Sequence, residues 1–173
     1  MSLTTNYIVG ETTLTENKGF LQPTGFSVVI NRGLYANLEY FAQSVQHPGA
    51  TVSALELPIR QITSVPLAGD KITYSEMSLQ LIVDEDMASY KEMQAWLERT
   101  IQGQTYGADG REIPIYSDIT LLILTSQNNP NISIKYQDCI PTAISSIEFN
   151  STTGDLQYIT FDATFRFAKF EIV

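Results

Sequence analysis

Between Pro66 and Gly103 the spacing of apolar residues switches once, from every second residue to every third or fourth. Met77, Leu79, Leu81 and Val83 alternate with Ser78, Gln80, Ile82 and Asp84, the period of a half-buried strand. After Asp84-Glu85-Asp86, residues Met87, Tyr90, Met93 or Gln94, Leu97 and Ile101 recur at helical spacing, with Trp96 and Thr100 beside them. Asp86 is the expected N-cap, because a carboxylate there can accept from the free N–H groups of the first turn. The acidic cluster also suits the positive end of the helix dipole, and Gly103 is placed to end the helix. Pro66-Leu67-Ala68-Gly69-Asp70 reads as a turn ahead of the strand. A strand feeding one amphipathic helix, near 86–102, predicts a helix lying on a sheet.

The remaining segments are strand-like. Phe26, Val28 and Ile30 alternate with Ser27, Val29 and Asn31, which argues for a strand that Asn31-Arg32-Gly33 breaks. Leu38 to Val45 is rich in β-forming residues and apolar on both faces, so a second strand is expected there. His47-Pro48-Gly49 makes a turn, and Thr51 to Val65 is extended, with Pro58 confining it to an edge, a bulge or a loop-like excursion. Residues 103–117 form a Gly-rich loop, and Ile119 to Thr125 is apolar enough for a buried strand. Asn128 to Asn131 is a turn; a strand starts at Ile132 and is expected to run on to Phe149, with a hairpin loop at 150–155. In the last strand Ile159, Phe161, Ala163, Phe165 and Phe167 share one face and Tyr158, Thr160, Asp162, Thr164 and Arg166 the other. About eight strands and one helix imply a mainly β fold, a two-sheet sandwich or open barrel. The 173 residues suit a single domain over 25–173 preceded by an arm over 1–24, whose scattered apolar residues are too few for a core of their own.

Charge and residue supply exclude several functions. Ten Lys and Arg against nineteen Asp and Glu give a net charge of −9, the wrong sign for gripping phosphate backbones. Cys139 is the only cysteine and His47 the only histidine, so one chain cannot assemble an ordinary zinc site or an internal disulfide. His47 in a Pro-Gly turn reads as a loop residue, and Cys139 as a small packed one. The acids at 84–86 do not have the alternating spacing of a calcium loop, and the glycines at 103–110 lack the Lys-Ser/Thr of a phosphate loop. No catalytic set or cofactor site stands out, which argues against an enzyme. With no run of roughly 20 apolar residues for a membrane span and no signal-peptide pattern in the first 27 residues, a soluble chain made in a cytoplasm is expected.

Ala68-Gly69-Asp70, the strand Met77–Val83, the acidic corner Asp84-Glu85-Asp86 and the helix carrying Trp96 together resemble the strand-to-helix core of tail tube proteins from contractile-tailed bacteriophages. Asp138-Cys139-Ile140-Pro141-Thr142, a hairpin and a last strand from Tyr158 to Glu171 resemble that family's ending, so the likeness covers about residues 23–173. Tubes of type VI secretion and contractile injection systems are related.

The resemblance implies a structural virion protein of the tail, assembled in the host cytoplasm. Each subunit would complete a larger barrel in a hexameric ring, and stacked rings would conduct genomic DNA during ejection without binding it specifically. Its partners would be further copies of itself, the tail sheath, the baseplate and a tail terminator, with no cofactor, metal or membrane anchor. On that basis Glu148, Thr160, Asp162, Thr164 and Arg166 are candidates for the lumen face. Tyr7 and Ile8 in the arm, with His47 and Pro48, are candidates for contacts between rings. Two other readings stand beside this one: a baseplate-proximal or terminal paralogue that makes a single ring, and a monomeric β-barrel holding a small ligand.

Overall fold

A bent strand at the centre of the molecule joins two sheets. The computed structural model describes residues 21–59, 63–103, 105–106, 112–150 and 158–173. In chain order the elements are β1 (Phe26–Val29), α1 (Arg32–Tyr40), β2 (Ala42–Gln46), β3 (Ala50–Val52), β4 (Leu55–Ile59), β5 (Thr63–Leu67), β6 (Ile72–Tyr74) and β7 (Met77–Ile82). There follow α2 (Ala88–Gln102), β8 (Thr105–Tyr106), β9 (Glu112–Ile113), β10 (Ser117–Leu124), β11 (Pro130–Ile144), β12 (Thr160–Arg166) and β13 (Lys169–Ile172). The main sheet runs β1-β10-β11-β12-β7-β2, with β13 also on β11, and every pairing is antiparallel.

β11 belongs to both halves. Its first part lies between β10 and β13, and its second part, Ile140 to Ile144, pairs with β12. The switch falls at Asp138, whose φ of 55° is left-handed, a conformation that Asp tolerates better than most residues. Its N–H donates to Asp118 Oδ1 at 3.1 Å across a register shift between β10 and β11. Opposite it the partner hairpin bends too, as the Ala168 N–H donates to the Gln137 carbonyl between β12 and β13. Bulges and bends of this kind let a strand turn a sandwich corner.

The core lies under this bent sheet and is closed by the helices. Met77, Leu79 and Leu81 of β7 and Phe161, Ala163 and Phe165 of β12 are buried, as their alternation requires. α2 packs over β11, placing Trp96 between the Tyr35 ring at 4.3 Å and the Phe165 ring at 5.4 Å. Its indole N–H donates to the Ile115 carbonyl at 2.8 Å, so the one polar atom of the buried ring is satisfied.

Several expectations are corrected. Residues 38–40 are not strand but the end of α1, one of two helices among the described residues. Asn31 caps α1 by accepting from the Gly33 N–H at 3.1 Å, and Tyr35 and Leu38 are its buried residues. The helix is broken at Tyr35 (φ −138°, ψ 42°), which frees the N–H groups of Asn37 and Leu38. The Glu92 carboxylate of α2 accepts both, at 3.1 and 3.3 Å, and so locks the helices together. α2 starts at Ala88, and Asp86 does not cap it. Asp84 does, accepting from the Ser89 N–H and hydroxyl at 3.1 Å each, because Met87 in the left-handed region (φ 54°) turns the chain back over Asp84. The buried stripe of α2 is Ser89, Met93 and Trp96, and Ile101 is 84% exposed. Gly103 ends the helix as expected, with φ 78° and its N–H on the Arg99 carbonyl. β11 stops at Ile144, well short of Phe149. The expected loop at 150–155 falls, after Asn150, outside the described residues.

Pro66 to Asp70 is not a turn. Pro66 and Leu67 end β5, and Ala68 to Asp70 link β5 to β6 on the returning side of a long hairpin arm, in which β3 pairs β6 and β4 pairs β5, growing out of the β2–β7 pair. Gly69 is needed there because a Cβ would overlap the Ser53 carbonyl on the opposite strand.

Candidate functional site

The surfaces of interest lie on the four-stranded half of the sheet, in the order β11-β12-β7-β2. Because Phe161, Ala163 and Phe165 point into the core, strand alternation puts Thr160, Asp162, Thr164 and Arg166 together on the outer face. Register sets Gln80 opposite Asp162 and Ser78 opposite Thr164, with exposed Ser44 and Gln46 on β2 and Thr142 on β11. This face is built of hydroxyls and amides with few charges. Arg166 Nε lies 3.6 Å from a Glu76 carboxylate oxygen, both side chains open to water, so the pair balances charge while contributing little stability. Ser78 and Gln80 join the face through the same alternation that defines β7 in the sequence, and Glu76, just before β7, is brought in by its ion pair. Glu148 is exposed but lies beyond the end of β11, off the strands that carry the other four.

Both edges of this half-sheet lack a strand partner among the described residues: β2 pairs only with β7, and Ile140 to Ile144 only with β12. Each edge is irregular. β2 has a register shift between Ala42 and Ser44, and β11 has one between Pro141 and Ala143. Bulges and an edge proline restrict what can pair there.

Tyr7 and Ile8 lie outside the described residues. His47 is exposed at the root of the hairpin arm, where its Nδ1 shares a 2.6 Å hydrogen bond with the Tyr136 hydroxyl and its ring meets Phe170 edge-on. Partial burial lowers its pKa from the ordinary value. Pro48, beside it, is buried within the subunit. Burial pushes both the Tyr136 hydroxyl and the Cys139 thiol up to about 12, so neither ionises near neutral pH. Such a thiol is no nucleophile.

At the sheet corner, two open grooves of about 440 and 470 Å3 share Tyr116 and Asp138. Among the described residues no group of three or more His, Cys, Asp or Glu could hold a metal ion, and no helix is long and apolar enough to cross a membrane.

The fold is mainly β, with a polar outer face on the half-sheet β11-β12-β7-β2. Residues 2–173 match the family described as phage tail tube protein, and the chain belongs to that family. It is therefore a structural protein and not an enzyme. Its fold is similar to a chain of the sheath-tube complex of an extracellular contractile injection system, PVC, at 13% identity and a TM-score of 0.63, covering 90% of this chain and 93% of that one. It is similar to the tube-terminating cap of the anti-feeding prophage, at 13% identity and 0.63, covering 96% and 98%. A chain of that prophage's baseplate aligns at 12% identity and 0.56, covering 94% and 97%. At such identities the likeness is one of fold. No curated protein matches the chain.

Proposed function

We propose that copies of this chain close edge to edge into a ring, six to a ring as the family resemblance implies. The rings stack into the inner tube of a contractile tail or tail-like particle, and genomic DNA passes along its bore during ejection. The observation that carries this reading is the half-sheet β11-β12-β7-β2 with both edges unpaired among the described residues. Its strands alternate in direction and are even in number. The β2 edge of one copy therefore meets the Ile140–Ile144 edge of the next antiparallel, and the pattern repeats around the ring until no edge is left.

The outer face carrying Thr160, Asp162, Thr164 and Arg166 then lines the bore, and the helices and the β1-β10 side face outward. Asp162 and Glu76 against Arg166 leave one negative charge per copy on this face. Repeated around a ring, it repels phosphate, while hydroxyls and amides offer DNA only weak, exchangeable contacts. Glu148 stands at a rim of such a bore. The sheath, the baseplate and a terminator are the partners of a tube in this setting, and the host cytoplasm is where it is built.

A second reading, a paralogue forming one terminal or baseplate-proximal ring, is favoured by the fold likeness to a terminating cap, which equals that to the sheath-tube chain at a TM-score of 0.63. Native mass spectrometry with negative-stain microscopy of the purified protein separates the two. Rings of six that grow into tubes support the main reading, and single rings at every concentration support the second. A protein that remains monomeric at high concentration overturns both.

A further inference from the structure

A cluster of rings ties the root of the hairpin arm to the body of the subunit. Tyr74 of β6 lies 5.8 Å from Phe167 and 5.2 Å from Phe170, and both phenylalanines lie against Tyr136 of β11. His47, between β2 and β3, joins them from the other strand of the arm, edge-on to Phe170 at 5.0 Å. Two residues on, the Gly49 N–H donates to Ser75 Oγ and the Ser75 N–H to the Gly49 carbonyl, closing the two strands on each other. His47 is the one ring of the cluster that can gain a charge near neutral pH, and it is exposed, so solvent protons reach it. Tyr136 is fully buried, and among the described residues its hydroxyl has no partner besides His47 Nδ1, at 2.6 Å. A neutral imidazole can accept the hydroxyl proton at Nδ1, whereas an imidazolium carries a proton there and can only donate. Tyr136 must then accept, and its own proton is left against Phe167 and Phe170, where burial denies it water.

We propose that the His47–Tyr136 hydrogen bond is a pH-sensitive latch on the root of the arm, closed while the imidazole is neutral and released when it is protonated. The latch belongs to a single copy and does not depend on the ring. The groups that face His47 are Tyr136 from β11, Phe170 from β13 and, through the cluster, Tyr74 from β6. Lys135, Lys169 and Glu171 alternate to the opposite side of their strands, where Lys169 pairs with Glu171 at 2.7 Å. Glu76 and Arg166 pair with each other on the outer face of the half-sheet. Among the described residues no carboxylate favours the charged imidazole, and burial holds its pKa below the ordinary value. A released arm returns His47 to about 6.5. The latch is therefore at full strength above that value and weakens as pH falls from it toward the lower, latched value. Acid loosens the root of the arm, while β7 and β12, held by apolar core residues, keep their protection.

Amide exchange followed by NMR on dilute protein at pH 8 and pH 5, each rate divided by its intrinsic rate at that pH, tests the latch. Exchange at Gly49 and Ser75 and across 50–52 and 72–74 is expected to rise about three- to tenfold at the lower pH relative to β12, the effect of losing one hydrogen bond of ordinary strength. His47→Asn keeps an acceptor close to the place of Nδ1 and cannot titrate, so its arm is expected to exchange alike at both pH values. A wild-type arm that exchanges alike at both overturns the proposal, as does a His47→Asn arm that loosens in acid as the wild type does. Should His47→Asn fail to fold, the imidazole resonances of the wild type decide the matter. Arm protection lost with the same midpoint as the His47 ring, below about 6.5, supports the latch, and a separate midpoint overturns it.

Discussion

Asp84 and Asp86 stand two residues apart at the mouth of α2, and only the first is held by the fold. Partial desolvation raises the Asp84 carboxyl's pKa, but the amides of Ser89 and Ala88 with the Ser89 hydroxyl outweigh it, so the value falls below the usual carboxylate range. A depressed folded-state pKa means that the ionised cap stabilises the fold above the unfolded value of about 3.9 and loses that effect as pH falls through the folded value. Asp84→Asn is accordingly expected to melt several degrees below wild type at pH 7, with the gap narrowing toward pH 3. Asp86→Asn should melt with wild type throughout. Cys139 gives a second test at this scale. With its thiol pushed up to about 12 by burial, iodoacetamide at pH 8 should leave the native protein unlabelled and label it fully in denaturant. Labelling of the native protein at the rate of a free thiol would contradict the packing of β11.

Among the elements, what was legible in the sequence were those whose burial is one-sided and regular. β7 and β12 follow from strict alternation, and Trp96 follows from helical spacing. Replacing Trp96 with Ala, which removes a ring stacked on Tyr35 and tilted against Phe165, should cost about 3–5 kcal/mol in denaturant unfolding. The register of α2 was less legible. Its acids and apolar residues fit two faces a residue apart, and only the left-handed turn at Met87 selects the one with Ser89, Met93 and Trp96 inside. α1 is masked in the sequence because Tyr40 and Phe41 favour strands, while its own signal, an Asn31 cap followed by Leu34 and Leu38 four apart, is short and broken at Tyr35. The Ala68-Gly69-Asp70 segment reads as a turn in sequence but links β5 to β6 in the arm. Gly there serves close approach to Ser53 across the arm and not a turn. Gly69→Ala should therefore raise amide exchange across 50–52 and 72–74 while leaving that of β7 and β12 unchanged.

On the scale of the whole molecule, the polar face of β12 could be read from sequence, but its neighbours could not, because strand order depends on pairings between β2, β7 and β12 that lie far apart in the chain. Nor does local sequence reveal which edges lack a strand partner among the described residues. The sparse charge of the face leads to a functional prediction. Asp162→Lys should turn assembled rings from inert to DNA-retaining in a gel-shift at low salt, with the retention falling steeply as salt rises. Wild-type rings should retain none under either condition. DNA retention by the wild type would contradict a bore that lets DNA slide.

Edge-to-edge closure of β2 on Ile140–Ile144 is tested most directly by disulfide trapping. Single cysteines are scanned along residues 42–46 and combined with single cysteines along 140–144. Within one copy these edges are three strand spacings apart, about 14 Å, too far for a disulfide. At least one pairing should give, on oxidation, a ladder of covalent oligomers ending at six. Every pairing remaining a monomer with free thiols would contradict closure by these edges.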